Sequence, residues 1–323
     1  MSEEYVLQVK NLDVQYHTDA GIVYANNKVS FSLRAGERLG VVGESGSGKS
    51  TMALALLQMI KSPGRIAGGE ALLGDVDLTK LSEEEMRQTR ARDISMIPQG
   101  AMNSLNPVML VRDQIIDSMV DHDMNMSRAA MRDYAGKVLE DVELDRSVGN
   151  MYPHELSGGM KQRVCIAISI AMNPKVIIAD EPTSALDVVT QRQVMQTIGR
   201  LQQEMGSAVI LIGHDMGLMA QFVNRMAVMY AGSMAELGTV QDTFTNPLHP
   251  YTQLLIESLP VLGKKGVFKG IPGITPLLRD LPPGCVFKDR CPKAMDVCGR
   301  DLPVYKEYGE EHWAACHLHE AVS

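Results

Sequence analysis

Gly43-Glu44-Ser45-Gly46-Ser47-Gly48-Lys49-Ser50 has the spacing G-x-x-x-x-G-K-[ST] and is followed by Thr51. The glycines let backbone N–H groups turn inward around a phosphate, and a helix opening at Ser50 adds partial positive charge at its N-terminus. Lys49 then reaches the β- and γ-phosphates, and the Ser50 hydroxyl can ligate Mg²⁺. The competing reading is an accidental glycine-rich turn. In a chain with 28 glycines such a match arises by chance about two times in a hundred. Its position, directly after an apolar strand and before a helical stretch, reduces that further.

Three more segments carry groups suited to the same chemistry. Val176-Ile177-Ile178-Ala179-Asp180-Glu181 is an apolar strand ending in two carboxylates. An Asp at that place helps hold Mg²⁺, and Glu181 could polarise an attacking water. Alone, the pair would read as a solvated strand end. Leu156-Ser157-Gly158-Gly159-Met160-Lys161-Gln162-Arg163 is a Ser N-cap and two glycines opening a helix that ends before Asn173-Pro174. It is a second anion-binding helix end, although alone it is only a well-capped helix. Finally, four of the five cysteines (Cys285, Cys291, Cys298 and Cys316) fall late in the chain, with five, six and seventeen residues between them. Clustered cysteines read as a metal site. Zinc favours paired C-x₂₋₄-C knuckles, whereas four widely spaced thiolates suit a [4Fe–4S] cluster. Cys165, inside the Ser157 helix, reads as a small buried apolar residue.

The elements that must position these groups alternate. Short strands are expected at Tyr5 to Val9, Ile22 to Tyr24 and Val29 to Leu33, with a buried strand at Arg38 to Val42 and a helix from Ser50 to Ile60. Helical periodicity runs from Asn106 to Met172. Strand-length apolar runs at Val176 to Ala179, Ala208 to Ile212 and Met226 to Tyr230 enclose a helix at Val188 to Met205. Alternation of this kind predicts an α/β fold with a mainly parallel sheet and ligands at the carboxyl ends of its strands. Beyond about Asn246, Pro and Gly become frequent and periodicity fades, which places a boundary there. With 323 residues, 45% hydrophobic and 22% charged, the chain has ordinary globular usage. Its net charge of −8 argues against nonspecific binding to nucleic acid or anionic lipid. Aromatics are only 5% while methionines number 22, so Met is expected to fill much of the core. No apolar stretch reaches the roughly 18 residues of a spanning helix. The start, Met1-Ser2-Glu3-Glu4, is acidic and lacks an apolar h-region, so a cytosolic chain is expected.

In combination these segments resemble the ATP-binding subunits of ABC transporters, for which L-S-G-G-x-x-Q-R is the signature. Gln99 after Ile94 to Ile97 matches the Q-loop, Ser184-Ala185-Leu186-Asp187 the D-loop, and His214 after Ala208 to Ile212 the switch histidine. The resemblance implies a P-loop NTPase cassette over residues 1–245: a RecA-like core, an antiparallel β subdomain and a helical subdomain at about 100–172. It implies ATP and Mg²⁺ as cofactors, with Ser50, Gln99 and Asp180 at the metal and Tyr16 stacking on adenine, Tyr24 being a competitor for that role. Glu181 and His214 would be catalytic. Such domains pair head to tail, so Ser157, Gly158, Gly159 and Gln162 would clamp ATP held by a partner's phosphate loop, and Asp187 is the D-loop residue. The implied partners are a second, homologous ATPase, two membrane permeases and an extracytoplasmic substrate-binding protein. The implied location is peripheral, at the cytoplasmic face of the membrane.

Residues 246–323 narrow the resemblance. Asn246-Pro247-Leu248-His249-Pro250-Tyr251-Thr252, followed by helix-like Gln253 to Ser258, looks like the carboxyl extension of oligopeptide- and dipeptide-type importer ATPases, and Ser104-Leu105-Asn106-Pro107-Val108 fits them too. Related extensions carry a [4Fe–4S] cluster, which is the expectation for the four cysteines, with Zn²⁺ as the alternative. Gly100-Ala101-Met102 is atypical of the peptide members, so oligosaccharides, nickel complexes and opines stay open beside peptides. The rival readings are a soluble ABC protein acting on DNA or ribosomes, which usually has a coiled-coil insertion or two cassettes, and an exporter ATPase, which the extension disfavours.

Overall fold

A computed structural model describes residues 5–100, 104–184, 186–259 and 270–322. In chain order its strands and helices are β1 (Tyr5–Thr18), β2 (Gly21–Arg34), β3 (Arg38–Val42), α1 (Lys49–Leu56), β4 (Gly64–Leu73), β5 (Val76–Asp77), α2 (Glu83–Thr89), β6 (Ile94–Ile97), α3 (Val111–Asp121), α4 (Arg128–Asp141) and α5 (Gly158–Ile170). There follow β7 (Val176–Asp180), α6 (Val188–Met205), β8 (Ala208–Ile212), α7 (Met216–Met219), β9 (Arg225–Tyr230), β10 (Ser233–Thr239), α8 (Val240–Thr245), α9 (Pro250–Glu257), β11 (Tyr305–Gly309) and β12 (His312–Ala315). The chain divides into two units. One holds residues 1–7, 33–37 and 80–211, and the other holds 8–32, 38–79 and 212–323.

In the first unit the strand order is β8-β7-β6, with β6 and β7 parallel and Ile94 opposite Val176. Every residue of β7 and β8 is buried, which is why these strands read as unbroken apolar runs and not as alternating ones. The helical stretch expected from Asn106 to Met172 is three α-helices, with two short 3-10 turns (Arg146–Asn150 and Pro153–Glu155) between the second and the third. Val111, Ile115 and Met119 of α3 and Ala135, Val138 and Leu139 of α4 are the buried stripes. Helix α5 is buried along most of its length, including Cys165, whose thiol is pushed up to about 12 by burial.

In the second unit the order β11-β12-β10-β9-β3 combines a parallel pair, β3 with β9, and antiparallel pairs from β9 outward. A second sheet has the order β2-β1-β4-β5. Two strands of fourteen residues replace the short strands expected between Tyr5 and Leu33. Polar residues such as Asn11 and Asp13 stand beyond the strand expected to end at Val9, yet they lie inside β1. Asn11 takes a left-handed φ of 50° there and its N–H donates to the Ser30 hydroxyl at 2.8 Å. Helix α1 stops at Leu56, earlier than the expected Ile60, and Gln58 follows with φ 48°. Methionine fills the interior as its abundance suggested, with Met52, Met216, Met219, Met226, Met229 and Met234 all buried in this unit. No helix among the described residues is long and apolar enough to cross a membrane.

Strands β11 and β12 lie in sequence that has no strand periodicity. What holds them is a buried carboxyl. Glu236 of β10 is wholly buried and accepts from the N–H groups of Leu248 and His249 at 2.9 and 2.8 Å. Its Oε1 also lies 2.7 Å from Nε2 of His312, the first residue of β12. The side chain therefore ties β12 and the start of α9 to one strand. Glu236→Ala should orphan these donors and cost about 3 kcal/mol of stability, read as a lower urea midpoint. An unchanged midpoint would show that the network does not hold the extension.

Candidate functional site

In the second unit, β3 delivers its carboxyl end straight into the glycine loop. Gly43, Gly46 and Gly48 have φ of 151°, 78° and 99°. A Cβ on Gly43 would meet the Met229 carbonyl oxygen at 2.2 Å, and one on Gly48 would meet that of Ala25 at 2.3 Å. A Cβ on Gly46 would meet nothing within 4 Å. The loop is thus pinned to neighbouring backbone at both ends and open in the middle, as a cradle for an anion must be. Lys49, buried, donates to the carbonyls of Gly43 at 2.8 Å and Glu44 at 2.9 Å and to the Ser47 hydroxyl at 3.3 Å. Asn26, also buried, donates to the Gly48 carbonyl at 3.1 Å. Ser45 is exposed, and Ser50 and Thr51 stand in the first turn of α1. The donor set of backbone N–H, ammonium and hydroxyl fits a nucleotide phosphate with its Mg²⁺.

The extension reaches this loop. The Arg290 guanidinium, whose side chain is 5% exposed, forms a two-pronged ion pair with Glu44: Nη1 to Oε2 at 2.7 Å and Nη2 to Oε1 at 2.8 Å. The Thr275 hydroxyl donates to Glu44 Oε2 at 2.5 Å, and the Glu44 N–H donates to the Tyr251 hydroxyl at 3.0 Å. Arg290 also donates to the Tyr230 hydroxyl and to the Pro272 carbonyl. The Arg290 hydrogen bonds hold the Glu44 carboxyl below its usual range. Beneath them Tyr230, Tyr251 and Phe287 form an aromatic cluster with centroids 4.7 to 5.3 Å apart. In the loop motif Glu44 fills a position open to any residue. Its partner lies 246 residues away, and nothing local to Arg290 marks it. Also in this unit, Tyr16 is half-buried in β1 against Gly64, and the Tyr24 N–H donates to the Leu278 carbonyl. His214 lies exposed between β8 and the Asp215 cap of α7.

In the first unit, Asp180 is the buried last residue of β7. Glu181 follows with φ 45°, a left-handed conformation that costs a non-glycine residue about 1 kcal/mol or more. Strain of this kind is retained where it aims a side chain. The structure brings Gln99 to it, with Nε2 donating to Glu181 Oε2 at 2.8 Å. Ser157 is the N-cap of α5, accepting from the Met160 N–H at 3.4 Å, and Ser157 and Gly158 are exposed at the helix end. Gln162 is buried on the same helix and its Nε2 has no hydrogen-bond partner. Asp187 caps α6, accepting from the Val189 and Thr190 N–H groups at 3.0 Å, and the Thr190 hydroxyl donates to it as well. Of the D-loop and Q-loop segments, Ala185, Ala101 and Met102 lie outside the described residues.

Cys285, Cys291, Cys298 and Cys316 line one small cavity together with His249 and His317. The Cys285 N–H donates to the Cys298 carbonyl at 2.9 Å, with Gly284 too close to that carbonyl to carry a side chain. Burial raises the Cys285 and Cys291 thiols and takes Cys316 to about 11, and the neighbouring thiols add to each shift. Among the described residues no three His, Cys, Asp or Glu side chains converge on a single metal-ion position.

Comparison with known proteins gives the family. The ABC transporter family model matches residues 26–184, and that of the oligopeptide/dipeptide transporter C-terminal region matches residues 235–298. The chain is 44% identical to the oligopeptide transport ATP-binding protein OppD of Escherichia coli, over 96% of this chain and 92% of that one. It is 42% identical to the dipeptide transport ATP-binding protein DppD of Lactococcus lactis, over 97% and 91%. Among solved structures it is similar to the dimeric bacterial ABC transporter cassette MJ0796, with a TM-score of 0.66 and 30% identity, covering 72% of this chain and 98% of that one.

The cradle geometry separates two glycines of one motif. Gly46→Ala meets only backbone strain, about 1–2 kcal/mol, whereas Gly48→Ala meets the same strain and a backbone oxygen. Gly48→Ala should therefore lower the melting temperature distinctly more than Gly46→Ala. Equal losses in thermal denaturation would contradict the close approach to Ala25.

Proposed function

The chain belongs to the ATP-binding subunits of ABC transporters, of the oligopeptide/dipeptide importer type, and we propose that it drives peptide uptake by binding ATP at Gly43 to Thr51 and hydrolysing it with Glu181 as base. It is an ABC ATPase of an importer. The observation that carries the site assignment is the presence, in one chain, of an open phosphate cradle and an exposed Ser-capped helix end at Ser157-Gly158. A second anion-binding end in the same chain has a use when two such chains pair head to tail, each clamping the nucleotide of the other. A homologous second ATPase is the proposed partner, with two permeases and a substrate-binding protein, and the proposed location is the cytoplasmic face of the membrane.

In this reading Lys49 exchanges its loop carbonyls for phosphate oxygens, and the backbone N–H groups around Gly46 take up the remaining charge. Bound Mg²⁺ would neutralise phosphate charge, and Ser50, Asp180 and Gln99 are its proposed ligands. Tyr16 offers its ring to adenine. Glu181 orients the attacking water and takes its proton, and Gln99, bonded to Glu181, keeps that carboxylate aimed. His214 contacts the γ-phosphate, and Asp187 sits at the junction with the partner's cradle. Closure on ATP and reopening after hydrolysis move the helical subdomain, and with it the permeases. Glu181→Gln keeps the shape and loses the basicity, so the full chain should bind ATP as the wild type does while hydrolysis falls at least about a hundredfold. Phosphate release at the wild-type rate would remove Glu181 from this role.

The four cysteines are the proposed ligands of a [4Fe–4S] cluster with a structural role. The donor set fits, because four thiols line one cavity and each iron of such a cluster takes its own thiolate. A zinc ion would need the four sulfurs drawn in to about 2.3 Å from one point. Protein purified without oxygen should contain about four irons and acid-labile sulfide per chain, and Cys298→Ser should lose both while ATP binding persists. One zinc per chain with no sulfide would overturn the cluster.

A further inference from the structure

Glu44 is an unexpected residue for a phosphate cradle, because it puts a carboxylate one position from the glycine that opens the loop. The unpaired charge would oppose ATP in two ways: it would repel the phosphates directly, and it would draw on the Lys49 ammonium, which lies within electrostatic reach of it. Neither happens while both carboxylate oxygens are taken by Arg290, with Thr275 as a further donor. The clamp is built and not incidental. Arg290 is nearly buried, its Nε and both terminal nitrogens have acceptors, and its guanidinium lies 5.6 Å from the Tyr230 ring centroid. All of its partners except Glu44 and Tyr230 belong to residues beyond 270, so the extension presents a preformed fork to the loop. The Tyr251 hydroxyl accepts the Glu44 N–H, so that donor faces the extension.

We propose that Arg290 is a positioning residue for nucleotide binding: by neutralising Glu44 and holding its carboxylate on the extension's side, it sets the affinity of the cradle for ATP. The proposal rests on the assignment of Gly43 to Ser50 as the phosphate loop. It gives the carboxyl extension a direct part in the ATPase site, separate from metal binding. A pure tether would make a different prediction, since it would matter for the fold of the extension whatever the charge of residue 44.

The test is equilibrium titration of the full chain with a fluorescent ATP analogue and Mg²⁺, with melting temperature followed in parallel. Arg290→Gln should weaken binding about tenfold, and Arg290→Lys, which keeps the charge without the fork, should stay within about threefold of wild type. Adding Glu44→Gln to Arg290→Gln removes the charge that needed neutralising, so the double variant should return to within about threefold of wild type. Wild-type affinity in Arg290→Gln, or a double variant as weak as Arg290→Gln, would overturn the proposal. If Arg290→Gln does not fold, Glu44→Gln alone decides: affinity equal to or above wild type is expected, and weaker binding counts against it. Lys49→Ala is the control, since undiminished binding there would sink the phosphate-loop assignment itself.

Discussion

Backbone that turns its N–H groups toward an anion must leave the conformations ordinary residues accept, and it must be held there from outside. Gly43, Gly46 and Gly48 supply the first requirement. The second is met by neighbouring backbone at Met229 and Ala25, by the Asn26 side chain, and by the Lys49 ammonium folded back onto the loop's own carbonyls. The buried strands β3 and β9, paired in parallel, fix where the loop starts and where the Met229 carbonyl stands. A loop built this way is rigid at its ends, so its response to ligand is concentrated in the few groups between them. Glu44 is one of those groups, and the chain commits an almost buried arginine to it.

The extension is tied to the same unit at two further places. Glu236 gathers donors from β12 and from the turn before α9, and the Tyr230–Tyr251–Phe287 cluster packs the face between them. The first uses β10 and the second β9, whose Met229 carbonyl also closes on Gly43 of the phosphate loop. Buried polar networks of this sort are costly when incomplete and specific when complete. The cysteine-lined cavity adjoins this network through His249.

Much of this was legible in the sequence because it is local. The cradle, the apolar strand before Asp180, the capped helix at Ser157 and the order of strands and helices each occupy a few consecutive residues whose periodicity or turn chemistry is direct. The gathering of the four cysteines into one cavity also followed from their clustering. What was not legible is long-range or backbone-specific. The Arg290–Glu44 pair joins segments 246 residues apart, and a lone Arg before a cysteine carries no mark of its partner. The left-handed Glu181 has no signal, since the type of residue there argues against the conformation. Strands β11 and β12 are short, and their pairing depends on β10 being there to receive them. The long β1–β2 hairpin was hidden by polar residues such as Asn11 and Asp13, which β1 carries without burying them fully.

The pairing of β12 on β10 bears on how the protein behaves in a crowded cell. Antiparallel to β10, β12 pairs Ala314 with Glu236 and Trp313 with Leu237 and so covers the backbone groups of β10 beside its buried residues. A chain cut back to residue 245 would bare these backbone groups at a largely apolar edge, and an uncovered edge is a place where other chains can add strands. In the full chain the outermost strand is β11, which is short, irregular in register near Glu307 and Gly309, and carries Lys306 and Glu307. Charges and irregularity at an outer strand discourage edge-to-edge aggregation. The carboxyl extension thereby replaces the β10 edge with an outer strand that is short, irregular and charged.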